Sequence, residues 1–156
     1  MAMKKFTGVF IFLVMVAVVI AVIVGNSDTR DSRKYMEVIQ SDVFHKLQLA
    51  NQAVVEAGNY LSQMQFESAS ERIEMAKQQS IQARSALDTL SPPEKLATFH
   101  SLLEQTFDAH EEAMDLYETG IAEKNISDLQ QGVARYQEVE ALVTQATAEL
   151  KRVSAN

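Results

Sequence analysis

The chain of 156 residues carries 21 acidic against 14 basic side chains, no cysteine, five glycines and two prolines. These counts exclude disulfides, thiolate metal sites and a cysteine nucleophile. All 21 acids and 12 of the bases follow Gly25, a balance of −9 that repels nucleic acid and anionic lipid, while scarce Gly and Pro beside abundant Ala, Glu, Gln and Leu suit one domain of long helices.

The chain opens on two lysines, Lys4 and Lys5, followed by an uncharged run to Gly25. Phe6 to Val24 would span roughly 28 Å as a helix, enough to cross a hydrocarbon core of about 30 Å. Fourteen of those 19 residues are Val, Ile, Leu or Phe, and on the insertion scale they favour the membrane by roughly 4 to 8 kcal/mol. A cleaved signal has a shorter apolar region and a clearer exit than Gly25-Asn26-Ser27, so the expectation is a retained anchor. A pilin-type assembly helix fits less well, because no acid precedes Asp28. Residues 1–5 then read as a short cytoplasmic N-terminus, 6–25 as the transmembrane helix and 26–31 as a juxtamembrane link. The tight Lys4 and Lys5 cluster, against the more distant Arg30, Arg33 and Lys34, predicts an exported domain. Ala17, Ala21 and Gly25 form a small-xxx-small row on which a second membrane helix could pack.

Residues 32–156 read as a four-helix bundle. Val43, Leu47, Ala50, Val54, Ala57, Leu61 and Met64 recur in alternating steps of four and three, predicting helix one over about 32–65. Its first turns, Ser32 to Gln40, fall before this seam and are expected to project towards the membrane. Ser68 and Glu71 have the form of a capping box opening helix two, about 68–90, with Ala69, Ile73, Ala76, Ser80, Ala83, Leu87 and Leu90 inward. Pro92 and Pro93 end it and start helix three, about 93–123, whose apolar face holds Phe99, Leu103, His110, Met114, Tyr117 and Ile121. Asn125 to Asp128 supplies turn and cap residues for helix four, about 127–153, with Leu129, Gly132, Tyr136, Val139, Val143, Ala146, Leu150 and Val153 inward. Short connections force neighbours antiparallel, so the expected fold is all-α: a transmembrane helix followed by an up-down-up-down four-helix bundle.

Three features carry candidate chemistry. Glu104, Asp108, Glu111, Asp115 and Glu118 share one stripe of helix three, which has no Lys or Arg between Leu96 and Glu123. Such a stripe is either a surface neutralised by an adjacent helix or an acidic docking face. Asn51, Ser80, Thr106 and His110, with Thr144, fall at similar heights and would make a polar layer inside the bundle. That layer either fixes register or lines a small ligand cavity. The remaining histidines make no metal set: His100 has only Glu104 one turn away, and Asp42 with His45 is a single D-x-x-H, with His45 expected at the surface. Asn125-Ile126-Ser127 matches the short glycosylation pattern N-x-S. No cofactor and no catalytic constellation are expected.

In layout alone, over residues 6 to 153, the chain resembles the extracytoplasmic four-helix bundles of bacterial chemoreceptors. The resemblance implies a membrane-anchored sensory or docking module and carries over no site residues. Those receptors leave the bundle through a second membrane helix, which the chain as given, ending at Asn156, does not contain. The expectation is therefore a non-enzymatic accessory or sensory subunit that docks a partner protein, another membrane protein being the natural candidate. Self-association into a homo-oligomer and small-ligand binding are the alternatives.

Overall fold

The computed structural model describes residues 30–154, and every element within them is helical. The first rod has three parts: α1 (Arg30–Val38), a π-helical segment π1 (Ile39–Phe44) and α2 (His45–Ser62). Backbone angles at Val38 and His45 remain right-handed helical, so the rod is continuous through the π segment. The second rod is α3 (Phe66–Asp88), the third is α4 (Ala97–Ala122) after a short 3₁₀ turn (Glu94–Leu96), and the fourth is α5 (Ile126–Ser154).

The rods pair as two close hairpins. α2 lies against α3 through Ala50, Ala53, Ala57, Ala69 and Ala76, which are buried and small enough to bring the backbones together. α4 lies against α5 at Gly120 and Gly132. A β-carbon on Gly120 would stand 2.9 Å from the backbone nitrogen of Leu129, and one on Gly132 would stand 3.0 Å from the Tyr117 ring. The first contact requires glycine because it meets backbone, whereas at Gly132 the Tyr117 ring would have to give way by a few tenths of an ångström. The hairpins then join through α3 and α4 and across the first and fourth rods, where long side chains such as Tyr136 fill the gap. Ion pairs fix the direction: Lys77 reaches Asp115 and Glu118 while Arg84 reaches Asp108, so α3 and α4 are antiparallel.

The two hairpin turns use the same device at the same end of the bundle. Met64 (φ 57°) and Lys124 (φ 53°) each take the left-handed conformation that stops a helix. The Lys124 ammonium sits 5.5 Å above the Phe66 ring, tying one turn to the other. Asn125 caps α5 as expected, its Oδ1 accepting from the Ser127 backbone N–H at 2.9 Å and its amide donating to Asp128 at 2.8 Å.

Three expectations require correction. The first turns of the first rod do not project: Tyr35, Met36 and Ile39 are buried in the core. Ile39 and Met36 stand four and seven residues before Val43 and continue its seam, while the wider turn of the π segment brings Phe44 inward beside Val43. Ser68 and Glu71 do not cap the second rod, which begins at Phe66 with Gln65 in the N-cap position and no side-chain cap. Met64, assigned to the seam, is instead a turn residue and 80% exposed.

The anchor expected over 6–25, with Ala17, Ala21 and Gly25, lies outside the described residues. Among the described residues no helix is long and apolar enough to cross a membrane.

Candidate functional site

At mid-height the interior turns polar, with one group from each rod. Asn51 on α2 and Tyr136 on α5 face each other, the tyrosine hydroxyl donating to the Asn51 carbonyl oxygen. The Tyr136 ring stands 5.7 Å from the His110 ring on α4, tilted by 59°. Ser80 on α3 and His110 line the same small cleft between α3 and α4. The sequence places each of these at an inward seam position, because the 3,4 spacing that buries their apolar neighbours carries them along.

His110 is the unusual member. It is fully buried, and neither Nδ1 nor Nε2 has a hydrogen-bond partner. Burial pushes its pKa down from 6.5 to about 4, since no neighbouring charge offsets the lost hydration. The ring is therefore neutral near pH 7, with one nitrogen donating and the other accepting. Buried polar atoms are nearly always paired, and leaving one unmade costs about 1–3 kcal/mol. The Tyr117 hydroxyl, two turns along α4, is likewise buried without a partner. Burial raises the pKa values of Tyr117 and Tyr136, so both stay protonated.

The cleft beside His110 has a volume of about 50 Å³. Lys77 and Arg84 stand on its α3 side, Phe107, Glu111 and Met114 on its α4 side. Both cations are engaged. Lys77 bonds Asp115 and Glu118 at 2.8 Å each, and Arg84 bonds Asp108 at 2.6 Å and Asp88 at 3.2 Å.

Those bonds locate the acidic stripe. Asp108, Asp115 and Glu118 are bridged to α3, and Glu104 lies 3.7 Å from the His100 ring, while Glu111 sits at the cleft with no ion pair among the described residues. The neutralising charges do come from the adjacent helix. The carboxylates nevertheless stay half exposed, about 60% for the Asp108 side chain and 53% for Glu118, so one side of each still faces water.

The expected polar layer is found in part. Asn51, Ser80, Thr106 and His110 are all buried, but the Thr106 hydroxyl donates to its own helix at the Leu102 carbonyl, 2.7 Å away. Thr144 does not belong to the layer; it is exposed and bonds the Glu140 carbonyl at 2.8 Å. The heptad spacing marks Tyr136 as a seam residue but carries no sign of its hydroxyl, which finds its partner in Asn51 on the facing rod.

A second polar group lies nearer the start of the first rod, and sequence spacing did not reveal it. The Tyr35 hydroxyl is 3.0 Å from His100 Nδ1 across the bundle, 65 residues away in sequence. The Tyr35 pKa is raised by burial and then by Glu104, so its hydroxyl stays protonated and shares a hydrogen bond with Nδ1 whose direction follows the His100 tautomer. The other ring nitrogen, Nε2, lies 3.7 Å from Glu104. His45, as expected, is exposed. No cluster of three or more His, Asp or Glu that could hold a metal occurs among the described residues.

Comparison with protein-family models, with curated proteins and with solved structures finds no match to this chain.

Proposed function

We propose that this chain is a non-enzymatic, membrane-anchored interaction module, an exported helical bundle that serves as an accessory or sensory subunit of a partner protein. The observation that carries the reading is the way the first rod enters the core. In sequence, only Asn26 to Thr29 separate the apolar run from Arg30, and from Tyr35 onward the rod is buried. A bundle attached with so little slack is held next to the membrane, where its effective concentration towards other membrane proteins is high. Its acidic character keeps it off anionic headgroups, which favours a protein partner over lipid.

The docking face in this reading is the stripe of Glu104, Asp108, Glu111, Asp115 and Glu118. Lys77 and Arg84 hold three of these carboxylates in a fixed array, and basic groups of a partner could approach their open sides. Crosslinking and capture from native membranes tests it, comparing the wild-type chain with one carrying Gln at all five positions. Loss of the captured partner supports the docking face; equal capture at low salt refutes it and leaves the stripe as packing between α3 and α4. Protease added to intact cells, or to spheroplasts where an outer membrane exists, checks the topology. A bundle protected until the inner membrane is lysed would overturn export.

A further inference from the structure

Charge is not spread evenly along the bundle. The start of the first rod and the start of the third lie together, since Tyr35 meets His100 at 3.0 Å, and α5 returns to pack on the 3₁₀ turn Glu94–Leu96 at the same end. Arg30, Arg33, Lys34, Lys95 and Lys151 gather there, all exposed and none in an ion pair among the described residues. Along the flanks, by contrast, Arg72, Lys77, Arg84 and Arg135 are each bound to a carboxylate. Five free cations are thus collected at the end nearest the apolar run. We propose that this end is a docking surface for anionic lipid headgroups, on which the bundle stands end-on with its acidic stripe turned sideways. The inference rests on the membrane-anchored part of the proposed function and adds how the bundle is held.

Position and range decide for lipid. Five chain steps separate Gly25 from Arg30, at most about 18 Å fully extended, so the first of these bases stays close to the end of the apolar run. The net acidity of the chain disfavours anionic lipid for the bundle as a whole, yet a headgroup responds only to charges within a Debye length, about 8 Å at physiological salt. The acidic stripe begins at Glu104, about 13 Å further along α4 than Lys95, and the far turns lie about 50 Å away along the first rod. Neither cancels the end. Within it, the five bases meet Asp31, Glu37 and Glu94 as unpaired acids, while Asp88 is held by Arg84 and Glu149 by Arg152, a surplus of two positive charges. Each basic residue near an anionic surface favours contact about fivefold, so that surplus favours the docked state roughly 30-fold. An acidic protein would meet the same charges, but only by entering the gap between the bundle and the bilayer.

The test reconstitutes the full chain in vesicles of phosphatidylcholine alone or mixed equally with phosphatidylglycerol. Because the chain has no cysteine, Ser91→Cys at this end and Ser127→Cys at the far turns each take a single spin label, and collision with a nickel-chelating lipid reports approach to the headgroups. The expected result is a collision rate at Ser91 severalfold higher with the anionic lipid. The gain should vanish in about 1 M salt, where the Debye length is about 3 Å, and in a variant with Gln at all five bases, while the Ser127 label stays at background throughout. If that variant loses helicity, the lipid and salt comparison on the otherwise unchanged chain decides alone. Equal Ser91 rates in the two vesicles overturn the proposal, and so does a gain that persists in the folded Gln variant. If soluble polyglutamate immobilises the Ser91 label as strongly as anionic lipid does, the surface takes acidic protein and the lipid assignment is overturned. Flotation separates this inference from the reading beneath it. Retention by neutral vesicles through an alkaline wash upholds the anchor even where equal label rates overturn the surface. Binding to anionic vesicles alone upholds the surface and overturns the anchor, and binding to neither overturns both.

Discussion

Two buried histidines stand ten residues apart on α4 and end in opposite states. His100, near the start of the helix, shares a hydrogen bond with Tyr35 on the first rod and has its other nitrogen 3.7 Å from Glu104. His110, at mid-helix, faces Tyr136 ring to ring and bonds nothing. One helix and one residue type give a structural tie in one place and a buried, unpartnered imidazole in the other. The difference comes from the facing rods: Tyr35 presents a hydroxyl to His100, whereas the hydroxyl of Tyr136 is committed to Asn51. A buried polar residue is thus assigned its role by what stands opposite, not by its own position in the heptad.

Acidification should separate the two most sharply. His110 has a folded pKa lowered to about 4, so as pH falls through 6.5 the unfolded chain takes the proton first. Its contribution is fully present above about 6.5 and is lost progressively down to about 4. The loss is on the order of 3 kcal/mol. Urea unfolding at pH 7 and 4.5 should show this loss in wild type and a much smaller one in His110→Leu. Carboxylate effects common to both proteins cancel in that difference, and equal losses would contradict the neutral, buried imidazole.

Removing the partners comes next. His100→Leu should destabilise by about 1–3 kcal/mol, because the Tyr35 hydroxyl stays buried without its partner. Tyr136→Phe should cost a similar or slightly smaller amount, since Asn51 is then left unbonded, and chemical denaturation measures both. His110→Leu at pH 7 should by contrast be neutral or stabilise by up to about 1 kcal/mol. A loss as large as that of His100→Leu would show that His110 is bonded after all and erase the contrast. The smallest effect belongs to the surface: Lys77→Gln should change stability by less than about 1 kcal/mol, and that change should shrink further in high salt.

Much of the fold could be read in one dimension. The 3,4 spacing located all four rods to within a few residues and identified most inward positions, because burial of an apolar stripe is a local periodic signal, but it passed over Phe44, Phe107, Ala109 and Ala113, which are buried beside the seam. Asn125 was recognisable as a cap for the same reason. The errors arose where a local pattern was consistent with two geometries. Ser68 and Glu71 satisfy a four-residue motif, yet the helix starts earlier because Met64 turns the chain there. Tyr35, Met36 and Ile39 are expected outside the bundle because the first rod is the longest, yet Ile39 and Met36, four and seven residues before Val43, share its face and continue the seam. The site divides the same way. The depth of His110 was legible from its helix face and the neutralisation of the acidic stripe from an adjacent helix was anticipated. The Tyr35 to His100 bond was not, since it joins two rods across 65 residues with no periodic signature.

The π segment also sets something that composition does not. A helix with one residue more than its pitch requires can give that residue up or move it along without breaking the chain. Passing it through towards Arg30 would turn the leading stretch of the first rod by about 100° and slide it by about 1.5 Å. Tyr35 would then swing off His100, while α2, held by its alanine contacts to α3, stayed in place. The register of the π segment therefore decides whether Tyr35 meets His100, so one extra residue in the first rod sets a contact that reaches across the bundle.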